Sequence, residues 1–178
     1  MAAPPGKRVK EVPGKRSRFG TVYELEDGRL QAEVSSRPVY FQDDKGKWQP
    51  IDTRIEASSE EGFVHGNDKA GYASRFGDAS DKLVKVKAEG QQLTLGVPGQ
   101  VRQISPKVDG STVTYAEVWD GADLVYQVTP EGVKEYLVLA KPPAAGTSLA
   151  FTVKAGGLRA QAQADGSIAF TGEDGMAA

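Results

Sequence analysis

Apolar and polar residues alternate in short runs along most of this chain. Leu30, Ala32 and Val34 can point to one face while Gln31, Glu33 and Ser35 point to the other, and Val84 and Val86 are interleaved with Lys85 and Lys87. Leu124, Tyr126 and Val128 share one side of a later run, after which Glu135, Leu137 and Leu139 oppose Lys134, Tyr136 and Val138. Phe151 and Val153, then Leu158, Ala160 and Ala162, and finally Ile168 and Phe170 carry the pattern on. A period of two with one polar face describes half-buried strands paired antiparallel. No window of a dozen residues sustains a helical period, and β-branched or aromatic residues dominate the apolar positions.

Turn chemistry separates the runs. Asp27-Gly28, Lys45-Gly46, Glu89-Gly90, Asp109-Gly110, Glu131-Gly132 and Asp165-Gly166 each place a glycine where a tight reversal needs a positive φ. The pattern predicts an all-β chain, either an antiparallel β-sandwich or a strongly curved open sheet of about a dozen short strands. Helix, if any, is expected as no more than a turn or two within residues 58–81, where alternation breaks down. Residues 57–81 are also the expected seam of a single domain spanning residues 19–172. The tetrapeptide Ser-Arg-Phe-Gly occurs at residues 17–20 and again at 74–77, without the flanking similarity that would make a repeat.

Charge narrows the choice of partners. The 178 residues carry 22 Lys and Arg against 24 Asp and Glu, a formal net charge of −2, so no global field draws the chain to nucleic acid or an anionic membrane. Lys7, Arg8, Lys10, Lys15, Arg16 and Arg18 cluster against Glu11 alone. No aromatic residue is interleaved among them to stack a base, so residues 1–18 are expected as a flexible basic arm, mobile up to about Lys15, rather than a nucleic-acid patch. Residues 173–178 have lost the alternation and are expected as a tail, with the natural chain continuing beyond. No apolar run approaches the roughly 18 residues of a membrane span, so membrane insertion is not expected. Met1-Ala2-Ala3-Pro4-Pro5 lacks the apolar core of a secretory signal, so an exported parent would carry its signal outside this sequence.

Candidate chemistry is thin. The absence of cysteine excludes a disulfide framework, a thiolate nucleophile and cysteine-containing zinc sites. His65 is the single histidine and would have to serve as the base of any serine triad, yet no Gly-x-Ser-x-Gly elbow is present. The carboxylate pairs Asp43-Asp44, Glu60-Glu61 and Glu173-Asp174 fall in expected turns rather than on facing walls of a cleft. No catalytic residue and no cofactor is therefore expected. Asp43 and Asp44 cluster oxygen ligands before Gly46 and are calcium candidates, although they lack the alternating ligands and closing glutamate of an EF-hand loop and Asp-Asp-x-Gly is first of all an ordinary hairpin turn. Trp48, Trp119 and Tyr126 are candidates for stacking a sugar ring, with core packing as the alternative.

At two blocks the chain resembles a known family. The first is Gly-x-x-x-Ala-Glu-x-Ser-x-x-Pro-Val over residues 28–39, followed by Asp-x-x-Gly-x-Trp-x-Pro-Ile-Asp ending at Asp52. The second runs from Tyr115 through Trp119-Asp120-Gly121-Ala122-Asp123-Leu124-Val125-Tyr126 to Gly132-Val133-Lys134-Glu135. Together they are similar to the β-rich region near the N-terminus of large secreted bacterial RHS or YD-repeat proteins and of relatives with DNRLRE or LamG-like modules. The resemblance implies a noncatalytic module of a secreted or cell-surface protein that packs against or presents the remainder of its parent polypeptide. It makes Asp52, Asp123, Lys134 and Glu135 structural motif residues, with Asp123 tying turn amides. A polysaccharide or cell-wall partner bound through Trp48, Trp119 and nearby tyrosines is the second reading, and a hydrolase built on His65 or an acidic pair is the third.

Overall fold

A computed structural model describes residues 6–172, and every regular element among them is a strand. In chain order these are β1 (Arg8–Glu11), β2 (Gly20–Leu25), β3 (Leu30–Val34), β4 (Tyr40–Gln42), β5 (Trp48–Pro50), β6 (Glu56–Ala57), β7 (His65–Asn67), β8 (Ala73–Ala79) and β9 (Lys82–Ala88). They continue with β10 (Gln91–Gly96), β11 (Lys107–Asp109), β12 (Thr112–Trp119), β13 (Ala122–Thr129), β14 (Gly132–Leu139), β15 (Thr152–Lys154), β16 (Arg159–Ala162) and β17 (Ile168–Thr171). All pairings are antiparallel. The expected all-β class is what the chain adopts, with more and shorter strands than expected.

Two sheets enclose the core. A six-stranded sheet in the order β15-β10-β9-β8-β7-β6 packs on a four-stranded sheet in the order β11-β12-β13-β14. Phe76, Leu83 and Val84 come from the first sheet, and Val113, Tyr115, Leu124, Tyr126 and Val128 from the second; all are fully or almost fully buried. Alternation along β13 follows from this packing, because Leu124, Tyr126 and Val128 face inward between half-buried neighbours. Tyr126 lies 6.1 Å from the Phe76 ring and 6.2 Å, edge on, from the Tyr115 ring, so aromatic contacts bridge the two layers. The three-stranded sheet β1-β2-β3 and the hairpins β4-β5 and β16-β17 lie outside this sandwich.

Several expectations are corrected. Residues 58–81, read as irregular, carry β7 and β8, and with β6 they complete one side of the six-stranded sheet. Glycine explains why alternation failed to show these strands. At Gly66 and Gly77 an added Cβ would collide with the backbone of the adjacent strand, at the Ser74 and Lys82 carbonyls, so both positions lack a side chain because another strand lies too close. Buried Asn67 fastens the same region: its amide donates to the carbonyls of Asp52 and Arg54, each at 2.7 Å, and its side-chain oxygen accepts the Lys69 amide at 3.0 Å.

The basic arm is likewise structured in part. Residues 8–11 form β1 against β2, and opposite charges hold it there: Lys7 with Glu26, Arg8 with Glu33, and Lys10 with Glu24. The positive cluster that looked unbalanced locally is matched by glutamates on β2, β3 and the turn between them. On β3, however, Leu30 and Val34 are exposed instead of buried, because the small sheet has no second layer over that strand. The expected tail, residues 173–178, lies outside the described residues.

Candidate functional site

A cleft of about 460 Å3 opens where four connections meet beside the sandwich. The hairpin β4-β5 contributes Tyr40, Phe41 and Trp48, and the connection between β7 and β8 contributes Gly71 and Tyr72. Glu89 from the β9-β10 turn, Glu131 from the β13-β14 turn, and Arg18 complete its charged lining.

Its aromatic residues are held from behind. Arg16 forms a two-pronged ion pair with Glu11, donates to the Trp48 carbonyl at 3.1 Å, and stands 4.6 Å from the centre of the Tyr40 ring. Those contacts raise the Arg16 pKa and hold the Glu11 carboxyl below its ordinary value, chiefly through the hydrogen bond between the two side chains. Tyr72 donates its hydroxyl to the Thr129 carbonyl at 2.8 Å, and burial pushes its pKa up to about 12. Gly71, at φ +86, passes so close to Phe41 that an added Cβ would meet the Phe41 Cβ at 3.2 Å.

The residues singled out from sequence separate. Trp48 lines the cleft. Trp119 packs edge on against Phe151 at 5.2 Å and borders a second, smaller hollow of about 340 Å3 with Pro142, Pro143 and Leu149. The two tryptophans thus form no common platform, and each is half-buried. Tyr126 is a correction: it is 2% exposed in the centre of the core, and burial raises its pKa, so it presents no face to a ligand.

Asp43 closes its own turn. Its carboxylate accepts the amides of Lys45 at 3.0 Å and Lys47 at 2.9 Å and the Gln49 side-chain amide at 2.9 Å, which together keep its pKa low, the Gln49 bond most of all. Asp44 is exposed. Among the described residues no group of three or more histidines, aspartates or glutamates is placed to hold a metal ion. Asp52 pairs with Arg54, whose hydrogen bonds lower its pKa to about 2.

Asp123 accepts the Glu117 amide at 2.8 Å across a bulge in β12. Lys134 and Glu135 occupy successive, opposite-facing positions on β14, Glu135 beside Tyr126 in register. His65 lies on β7 opposite Phe76, while Glu60 is engaged by Arg75 and Lys85, a network on the outer face of the six-stranded sheet. The hydrolase reading thus finds Glu60 already neutralised by cations.

Sequence reasoning missed Tyr40, Tyr72, Arg18 and Glu89. One signal was present: Glu89-Gly90 is a two-residue turn whose first position usually takes Asn, Asp or Gly.

The class defined by this architecture is an antiparallel β-sandwich flanked by small hairpins, with an aromatic cleft beside the core. No family model, curated protein or solved structure shows a significant match to the chain. Among the described residues no helix is long and apolar enough to cross a membrane.

Proposed function

We propose that the chain is a noncatalytic interaction module of a longer, secreted or surface-attached polypeptide of the RHS or YD-repeat kind its motifs resemble, and that it docks onto the remainder of that polypeptide through β14. The observation that supports this reading is the state of that strand. β14 is eight residues long, lies at the edge of the four-stranded sheet, and exposes Tyr136 (47%), Leu137 (41%), Val138 (52%) and Leu139 (40%) in succession. A long, apolar edge with free backbone groups is a template for another strand. The other edges of the sandwich are blunted: β6 has two residues, and β11 and β15 have three each. In the separate three-stranded sheet, the edge strand β1 carries Arg8, Lys10 and Glu11, and the five-residue edge strand β3 separates exposed Leu30 and Val34 by Gln31, Ala32 and Glu33.

Hydrogen exchange tests the proposal. Amides of residues 133–139 that point away from β13 should exchange quickly in the isolated chain and slowly in the parent polypeptide. A double substitution Leu137→Lys with Val138→Lys should leave the isolated chain folded and abolish that protection. Equal exchange in both contexts defeats the reading.

A further inference from the structure

The geometry points to the cleft beside Trp48 as a polysaccharide site that takes pyranose rings, a function separate from docking through β14. Tyr40, Trp48 and Tyr72 give it aromatic surface, which suits the flat apolar C–H face of a sugar ring. Its charged groups are mixed in kind: Arg18 can only donate hydrogen bonds, whereas Glu89 and Glu131, the latter 3.8 Å from the Arg37 guanidinium, can only accept them. A neutral polyol satisfies both, since every hydroxyl donates and accepts. An anion would meet two carboxylates and a cation would meet Arg18, while a purely apolar ligand would strip water from all three charges without replacing it. The volume of about 460 Å3 falls inside the roughly 300–1,000 Å3 usual for ligand clefts.

The lining is preorganised. Arg16 secures Tyr40 and the Trp48 backbone together, and the Thr129 carbonyl anchors Tyr72, so little ordering remains to oppose binding. Glu89 supplies an independent observation. It holds φ +50 and Gly90 holds φ +81, the left-handed pair of a tight hairpin turn, in which a glutamate is strained and cannot make the short-range backbone bond of Asn or Asp. Strain at a residue that lines the cleft marks a place where another requirement outweighs backbone preference.

The experiment uses the purified chain with cellohexaose, chitohexaose and insoluble peptidoglycan as probes, read by calorimetry, by sedimentation and by tryptophan emission in a Trp119→Phe background that leaves Trp48 as sole reporter. Saturable binding of at least one glycan with a shift in Trp48 emission is expected. Trp48→Ala should weaken it by about tenfold or more. Glu89→Asn guards against a folding artefact, because asparagine suits the turn: the melting temperature should hold or rise while affinity falls by about tenfold. Failure of all three glycans to bind overturns the proposal. So does binding that survives both substitutions, or occupation of the cleft by a proline-rich peptide in place of the glycans.

Discussion

The hydroxyl of Tyr115, on the four-stranded sheet, lies 2.7 Å from the carbonyl oxygen of Leu83 on the six-stranded sheet. The same hydroxyl is 2.9 Å from the Gly77 carbonyl, where the pairing of β8 with β9 shifts register between Phe76 and Ala79. A bulge leaves carbonyls without ladder partners, and the facing sheet returns one hydroxyl proton that the two share. The Tyr115 pKa is raised by burial, so the hydroxyl stays protonated and able to donate. Tyr115→Phe should therefore lower unfolding stability by about 1–2 kcal/mol, through buried carbonyls left unpaired rather than through lost volume. Denaturant titration with an unchanged m-value would confirm it, and no change in midpoint would refute it.

Arg16 joins β1, β2 and the β4-β5 hairpin through Glu11, the Trp48 carbonyl and the Tyr40 ring, while Glu11 also accepts the Thr21 hydroxyl at 2.7 Å. Lysine cannot reproduce the two-pronged pair or the planar stack. Arg16→Lys should cost about 1 kcal/mol, a partly exposed charge-assisted contact, and should speed tryptic cleavage at Lys10. Removal of residues 1–16 should lower the melting temperature, whereas a truly dispensable arm would leave it unchanged.

How much of this was legible can be judged at particular residues. Glycine turns at Gly28, Gly46, Gly90, Gly110 and Gly166 hold the expected left-handed φ, because turn chemistry is a local property, whereas Gly132, at φ +159, is extended and opens β14. The two copies of Ser-Arg-Phe-Gly show the opposite case: Phe19 is 44% exposed and Phe76 fully buried. The first copy falls in the turn leading into β2 and the second inside β8, so identical local sequence does not report its own secondary structure or burial. The cleft was legible only through Trp48, since Tyr40, Tyr72 and Glu89 stand at connections far apart in sequence, brought together by pairing that no periodicity records. Tyr126 was misread because alternation places a residue on a face and does not say whether that face is the core.

Acid should weaken the fold through Asp52 and Glu11. Both carboxyls have depressed pKa values in the folded chain, Asp52 to about 2 from an ordinary 3.8. Their stabilisation is complete above the unfolded values and fades as pH falls through the folded ones, so the Asp52 share disappears between about pH 4 and pH 2. Arg54 is largely exposed, and solvent screening holds that share to about 0.5–1 kcal/mol. Asp52→Asn should melt lower than the parent chain at pH 7 and converge with it near pH 2. Parallel melting curves across that range would contradict this linkage.

Asp123 and Glu117 offer a paired test of the bulge in β12. Glu117 sits at φ +49, a left-handed conformation unfavourable for a residue with a Cβ, and the Asp123 carboxylate stabilises it by accepting its amide. Asp123→Ala should remove that bond and cost about 1 kcal/mol, the ordinary worth of a solvent-accessible hydrogen bond to a charged acceptor. Glu117→Gly should act in the other direction, since glycine adopts positive φ without steric penalty, and raise stability by about 0.5 kcal/mol after its greater unfolded-state entropy is counted. In the double variant the loss from Asp123→Ala should remain, because glycine still presents the amide that the carboxylate would have accepted. Loss of glycan binding in Asp123→Ala with an unchanged melting temperature would instead make this bulge a ligand contact.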